Sequence, residues 1–349
     1  MQINKFLTLL VVCLILFAGL ISCQTNSSAK GAKGANGSDS SKAGANAKSD
    51  TSGLQIDLKP IDTADYNKRM IALANHDSTG LWPAKGPYPI AGAIFPYHRV
   101  VSFYGNLYSK RMGVLGEYPK DVMLKKLKQE VAHWQKADSS IPVLPALHYI
   151  AVTAQSNGGK QRMRMPFKQI DTIIKWANEI HALVFLDVQV GWSTLQEEIP
   201  QLEKYLKMPN VHLGIDPEFS MKFGDLPGKR IGTYSADDVN YVVNYLTNLV
   251  KANNIPPKIL IVHRFTQGMV TNVPSIKKTP QTQIVMDMDG WGDKILKRSS
   301  YLLYIQKAPV QFTGFKLFYK NDIRKDPNGM LTPEEVLKLT PKPIYIQYQ

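Results

Sequence analysis

From residue 54 onward, short apolar runs alternate with longer segments in which apolar and polar residues recur together. The runs are four to eight residues long and rich in β-branched and aromatic side chains. Runs of this kind are typical of strands that are buried on both faces. The predicted strands are 100–103, 142–149, 183–188, 211–215, 259–263, 283–288, 314–319 and 344–348.

The segments between the runs carry apolar residues at the spacing of an α-helix. In 236–253, Val239, Val242 and Val243 fall on one side of the helix, and Ser235 precedes it as a capping residue. A further segment before the first strand, 63–75, has the same character. The other predicted helices are 120–137, 167–181, 193–207, 267–276, 291–307 and 332–339.

Eight strands that alternate with helices predict an α/β fold of the (β/α)8 TIM-barrel type. No helix follows the last predicted strand, and the helical segment 63–75 is expected to cover that gap. An open, doubly wound sheet is the alternative. It is less favoured because no glycine-rich phosphate loop follows the first strand.

The first 53 residues lie outside this alternation. Lys5 is followed by an apolar run, 6–20, that is short for a helix crossing a bilayer. The run ends in the letters LISC at 20–23, which resemble the lipobox of bacterial lipoproteins. We therefore expect a lipoprotein signal peptide at 1–22, cleaved before a lipid-bearing Cys23.

Residues 23–53 consist mainly of Ser, Gly, Ala, Asn and Lys, which cannot build a core, so a disordered tether is expected there. Residues 54–349 are expected to form a single barrel domain. The chain has two cysteines, Cys13 in the signal peptide and Cys23. The domain therefore has no thiol for a disulfide, a nucleophile or a soft metal site.

The formal net charge of +14 favours attraction to anionic lipid or to an acidic envelope polymer. The basic residues are spread over tether, helices and loops, without the interleaved aromatic residues of a single-strand nucleic-acid groove. Nucleic acid is therefore not an expected partner. The expected partners are membrane lipid through Cys23 and a glycan or anionic envelope polymer. The expected location is the cell membrane or outer membrane, outside the cytoplasm.

Polar residues collect where the predicted strands end, which is where active sites lie in this fold. Side chains two apart on a strand share a face, so Asp187 is expected to point with Gln189, Asp216 with Glu218, and Asp287 with Asp289. Carboxylates within apolar runs are costly to bury without partners, and their recurrence predicts an acidic pocket. The expected catalytic residues are Glu218, Asp216, Asp187 and Asp287. The expected substrate contacts are Tyr104, His148, Gln189, His263, Asp289, Trp291 and Tyr319. No cofactor and no metal ion is assigned.

Asp216-Pro217-Glu218 is similar to the Asp-x-Glu end of the motif of family 18 chitinases. The resemblance implies a glycoside hydrolase in which Glu218 is the acid and Asp216 orients the N-acetyl group of the substrate. Two departures stand beside it. Gly214 occupies the position of an earlier acidic residue, and Asp287 lacks the tyrosine that precedes it in the chitinase pattern.

Two other classes of function remain open. Metal-assisted hydrolysis, for example of a phosphodiester, has hard ligands available, although no HxH or HExxH spacing is present. A non-catalytic surface lipoprotein that binds its ligand is the third class. The candidate metal ligands are Asp187, Asp216, His263, Asp287 and Asp289.

A broader resemblance rests on short segments spread along the domain. It is to a family of secreted bacterial proteins of uncharacterised activity, including actinobacterial cell-envelope proteins. The resemblance implies one intact barrel-like domain and does not choose among the three classes. The segments that carry it are 103–105, 113–117, 186–189, 216–218, 262–265 and 346–349.

Overall fold

The structure is a computed structural model that describes residues 58–349. Within these residues, eight parallel strands close into a barrel, each beside its neighbours in sequence, and β1 pairs with both β2 and β8. This closure confirms the predicted TIM-barrel fold. The strands are β1 Arg99–Gly105, β2 Val143–Ala154, β3 Leu183–Val188, β4 Val211–Ile215, β5 Lys258–His263, β6 Thr282–Met288, β7 Phe312–Leu317 and β8 Tyr345–Tyr348.

Three short strands lie outside the barrel ring. Arg162–Arg164 pairs antiparallel with the end of β2, which continues five residues beyond its predicted end through a register shift between Ile150 and Val152. Tyr234–Ser235 and Val270–Thr271 pair with each other in loops. These additions thicken the carboxyl-terminal side of the barrel.

The helices follow the predicted segments. They are α1 Thr63–Ala74, α2 Lys120–Ala137, α3 Phe167–Asn178, α4 Ala236–Asn253 and α5 Lys294–Tyr301. The last of these continues as a π-helical turn, Leu302–Gln306. Single turns occur at Val114–Glu117 and Pro333–Val336.

Two predicted helices are broken into turns. The segment 193–207 consists of Leu195–Glu198, a 3-10 turn Ile199–Leu202 and Glu203–Leu206. Pro200 starts the middle turn, and because proline has no amide hydrogen it interrupts a continuous helix. The segment 267–276 forms two 3-10 turns, Gln267–Met269 and Val273–Ser275, with the short strand Val270–Thr271 between them.

Helix α1 lies elsewhere than expected. Its buried residues Tyr66 and Met70 pack with Val100, Ile259 and Phe312, which belong to the amino-terminal ends of strands. The helix therefore closes the amino-terminal mouth of the barrel, rather than replacing a missing helix on its outside.

The barrel interior changes character along its axis. At the amino-terminal end the inward side chains are apolar, such as Phe185, Ile261 and Val285. Outward strand residues pack against the helices in the larger core cluster. Near the carboxyl ends the inward positions are polar, so the fold itself places a polar group at the mouth where TIM barrels carry their sites. Between residues 58 and 349, no helix has both the length and the apolar character that a membrane crossing needs.

Candidate functional site

A buried polar group fills the carboxyl end of the barrel. Its members alternate with outward apolar residues on the same strands, as the pleat requires. Their side chains are almost completely inaccessible to solvent. The inward residues are Tyr104 on β1, His148 on β2, Asp187 on β3, His263 on β5, Asp287 on β6, Lys316 on β7 and Tyr345 and Gln347 on β8.

Tyr104 and Gln189 connect the carboxylates of two strands. The Tyr104 hydroxyl donates to Oδ2 of Asp187 at 2.9 Å. Gln189 Nε2 lies 3.2 Å from that hydroxyl and 3.3 Å from Oδ2 of Asp216, while its Oε1 accepts the amide hydrogen of Ala154 at 3.1 Å. The side chain of Gln189 is thus fixed at both ends and holds the two aspartates at set positions.

The two histidines approach the same carboxylate oxygen. Nε2 of His148 and Nε2 of His263 each lie 3.5 Å from Oδ1 of Asp187. On its other side, Nδ1 of His148 lies 2.6 Å from the Tyr345 hydroxyl and 2.9 Å from Gln347 Nε2. The two Nε2 atoms and Oδ1 of Asp187 together form a set of donor atoms that a metal ion can use.

The carboxylates of β6 lie on the far side of His263. Its Nδ1 is 3.2 Å from Oδ2 of Asp289 and 3.5 Å from Oδ2 of Asp287. Burial alone lowers the pKa of His263, but the nearby carboxylates, Asp187 foremost, outweigh burial and raise it well above its usual value. Burial lowers the pKa of His148 to about 4, so that ring is neutral.

Burial raises the pKa of Asp187, but His263 and His148 together hold it well below its usual value. For Asp216 and Asp287 burial outweighs the nearby positive charge, so the pKa of each carboxyl group is raised above its usual value. The group therefore contains carboxyl groups whose pKa values are shifted in opposite directions. Such a separation of pKa values is typical of acid–base sites.

Glu218 lies at the edge of this group. It follows β4 in the 3-10 turn Pro217–Phe219, and its amide hydrogen is accepted by Oδ1 of Asp216 at 3.1 Å. Its side chain is half-buried, in contrast to the aspartates below it. Burial first, and the charge of Asp289 second, raise the pKa of Glu218 to about 7, against the opposing charges of Lys316 and His263.

The structure brings most of the sequence-predicted residues together and leaves two outside the group. Tyr319 faces the helices, where its hydroxyl donates to Glu130 on α2 at 2.8 Å and its ring stacks on Tyr348 at 5.1 Å. Trp291 lies in the loop after β6, with its ring 5.6 Å from the Arg324 guanidinium. The residues that the buried group or its edge contains are Tyr104, His148, Asp187, Gln189, Asp216, Glu218, His263, Asp287 and Asp289.

Three members of the group were not predicted. Lys316 is buried, with its ammonium nitrogen 3.8 Å from the centre of the Tyr104 ring. Tyr345 and Gln347 hold His148 from β8. The two-residue alternation in the final strand was the signal for this pair, because it puts both on one face.

Exposed aromatic side chains surround the mouth of the barrel. They lie in loops that follow the strands, so they belong to the same end as Glu218. Trp192 is anchored by its indole N–H, which donates to the backbone oxygen of Asp225 at 2.7 Å. The other exposed aromatic residues of these loops are Tyr108, Phe223 and Trp291.

No protein-family model matches the chain, and no curated protein matches it in sequence. The predicted resemblance to secreted cell-envelope proteins therefore stays a prediction. Among solved structures, the chain is similar to a trimodular GH5_4 subfamily endoglucanase, with a TM-score of 0.42 and 8% sequence identity. The match covers 83% of this chain and 57% of the endoglucanase chain. At this TM-score the likeness carries no argument about activity.

Proposed function

We propose that this protein is a glycoside hydrolase and that Glu218 donates the proton to the leaving oxygen. The observation that carries the proposal is the position and the pKa of this one side chain. Glu218 is half-buried at the carboxyl end of β4, and its pKa is raised to about 7. A general acid works best when its pKa lies near the working pH, because it is then both protonated and a competent donor.

Asp216 is the partner of Glu218 in this proposal. Glycoside hydrolysis builds positive charge on the sugar ring, and a second carboxyl group stabilises that charge or orients a participating group. Asp216 is buried and fixed by Gln189 and by the Glu218 amide hydrogen. The local resemblance to family 18 chitinases supports a role in which Asp216 orients an N-acetyl group.

The substrate class follows from the charge and the aromatic rim. Aromatic rings stack on the apolar faces of sugars, and a basic protein attracts acidic polymers. We therefore propose a glycan of the cell envelope or of the surroundings as substrate. The test is release of soluble product by the full chain from peptidoglycan, chitin-type oligomers and acidic polysaccharides. Binding to one of these without product from any would favour a non-catalytic binding protein instead.

The rim gives a separate prediction. Trp291 is 48% exposed, and its replacement by alanine should raise KM for a polymeric glycan roughly 2- to 10-fold with little change in kcat. Tyr88→Ala is the matched control. Tyr88 is 43% exposed but packs on Tyr66 of α1, at the opposite mouth of the barrel. Equal KM values for Trp291→Ala and the wild type would remove the tryptophan from the binding surface.

We also propose that the chain is a lipoprotein held at a membrane by a lipid on Cys23. This position lies outside the described residues, and the proposal is supported by the order of charge, apolar run and cysteine in the sequence. Cys23→Ser should abolish incorporation of labelled palmitate and release the protein from the membrane fraction. Cys13→Ser, within the apolar run, should change neither result. Palmitate on the Cys23→Ser variant would contradict the assignment.

A further inference from the structure

We propose that the barrel binds one divalent metal ion, for which zinc is best suited, through His148, Asp187 and His263. Their three donor atoms all lie within 4.8 Å of one another, and each histidine Nε2 is 3.5 Å from Oδ1 of Asp187. Around a tetrahedral zinc ion with bonds of about 2.0–2.2 Å, neighbouring donor atoms are roughly 3.3–3.6 Å apart. Both nitrogen–oxygen distances therefore fit the ion. This inference goes beyond glycan hydrolysis and does not depend on it.

The three donor atoms lack hydrogen-bond partners. Among the residues that the structure describes, nothing pairs with Nε2 of His148, Nε2 of His263 or Oδ1 of Asp187, and all three side chains are fully buried. The 3.5 Å between each histidine Nε2 and Oδ1 of Asp187 is longer than a normal hydrogen bond. Buried polar atoms are nearly always paired, because their loss of water is costly. Three unpaired atoms within 4.8 Å of one another indicate a bound group that joins them.

The opposite sides of His148 and Asp187 are held in place by hydrogen bonds. The Tyr345 hydroxyl lies 2.6 Å from Nδ1 of His148, and the Tyr104 hydroxyl donates to Oδ2 of Asp187. Oδ2 of Asp289, just after β6, lies 3.2 Å from Nδ1 of His263, an ion-pair contact without a hydrogen bond. Metal-binding histidines and carboxylates are typically oriented by outer partners of this kind. The arrangement leaves the inner atoms for the ion.

Gly214 on β4 forms the wall beside the donor atoms. A Cβ at this position would lie 2.5 Å from Oδ1 of Asp187 and 2.6 Å from Nε2 of His148. Any side chain here would displace the two donors. The absence of a side chain thus preserves the space, and Gly214→Ala is expected to block the ion while leaving every ligand in the chain.

The donor set suggests what the ion would do. Two imidazole nitrogens and one carboxylate oxygen suit zinc, and sites with three protein ligands leave a fourth position to water or substrate. An ion there can act as a Lewis acid. The rival occupant of the same space is a proton on His263, which would then sit as a cation between Asp187 and Asp289.

The test is the metal content of the full chain, purified with zinc and dialysed into metal-free buffer. We expect roughly one zinc ion per chain, measured by mass spectrometry, and visible absorption bands after replacement by cobalt. Asp187→Asn and His263→Gln should each lose the ion. His212→Gln should keep it, because His212 is another buried barrel histidine, whose Nδ1 instead accepts the amide hydrogen of Ile259 at 3.1 Å.

Thermal unfolding separates loss of the ion from loss of the fold. Zinc should raise the Tm of the wild type and leave that of Asp187→Asn unchanged, while both unfold cooperatively. Gly214→Ala provides the same comparison if a ligand variant does not fold. A wild-type chain without zinc, or ligand variants that bind as much zinc as the wild type, would overturn the proposal in favour of the proton. Glu218→Gln should bind zinc normally, so this result and the result for glycan hydrolysis are independent.

Discussion

Replacing Glu218 with glutamine should lower kcat on a glycan substrate by about 10²–10⁴-fold, the usual contribution of a general acid. Glutamine has almost the same shape as glutamate but no proton to give to the leaving oxygen. Because the side chain is half-buried at the edge of the group, the exchange should leave the fold unchanged. Product release under saturating substrate, with circular dichroism as a check on folding, measures the effect.

Glu117→Gln is the matched control for this substitution. Glu117 follows β1, at the same end of the barrel, and its carboxylate accepts a hydrogen bond from Lys320 at 2.5 Å, away from the buried group. Its replacement should leave turnover at the wild-type level. Turnover that persists in Glu218→Gln would exclude Glu218 as the acid and direct attention to the buried aspartates.

The pH dependence adds a second measurement on the same residue. Activity should fall as pH rises through about 7, because the acid must be protonated and the raised pKa of Glu218 lies there. Asp289 favours the protonated form of Glu218, whereas Lys316 and His263 favour the ionised form. A cation bound within the buried group would also favour the ionised form of Glu218. It would therefore move the fall in activity to lower pH. pH–activity profiles recorded with and without a chelator would distinguish the chain with a bound cation from the chain without one.

The barrel was predictable from the sequence because its strands are buried on both faces. Such strands are continuous apolar runs, and each of the eight runs coincides with a strand to within a few residues. The prediction of one helix over 193–207 was wrong, because Pro200 cannot continue the hydrogen-bond ladder of a helix. The position of α1 was not predictable, because periodicity shows that a face is apolar but not which mouth of the barrel it covers.

The site was predictable in composition but not in arrangement. Two-residue alternation correctly put Asp187 with Gln189, because both reach the Tyr104 hydroxyl. Tyr319 was expected at the site because it ends the predicted seventh strand, but β7 ends at Leu317 and the tyrosine ring lies against α2. The convergence of two histidines on one oxygen depends on the stagger of strands around the barrel. The spacing of residues along the sequence does not give the register between neighbouring strands, so this convergence could not be predicted.

Lys316 shows why a lysine in a strand is hard to interpret from sequence. Lysine is mostly exposed in proteins, so Lys316 was not among the residues expected at the site. In the structure its strand is buried on both faces, and the ammonium group packs over the Tyr104 ring inside the mouth. The positive charge there opposes the pKa rise of Glu218, so this unpredicted residue tunes the proposed acid.

Asp322→Ala should destabilise the fold by about 3–5 kcal/mol, the usual cost of removing one partner of a buried ion pair. Asp322 Oδ2 lies 2.7 Å from Nζ of Lys297, and the two side chains are 0% and 1% exposed. Burial lowers the pKa of Lys297 to about 8, so the lysine remains largely charged at pH 7. Without the aspartate, that charge and the amide hydrogens of Gly292 and Phe318 would lose their acceptor.

Equilibrium unfolding in urea measures the free energy of unfolding that Asp322→Ala loses. Two further variants serve as controls. Asp225→Ala breaks an exposed ion pair with Arg230, so it should cost less than about 1 kcal/mol. Lys297→Met combined with Asp322→Ala removes both charges and should recover much of the stability, since apolar replacements for buried pairs are often neutral. An Asp322→Ala variant as stable as the wild type would show that the Lys297–Asp322 pair is dispensable. Lys297 also donates to the backbone oxygen of Lys316 at 2.6 Å. Loss of the Lys297–Asp322 pair should therefore loosen the end of β7, which places the Lys316 side chain in the mouth of the barrel.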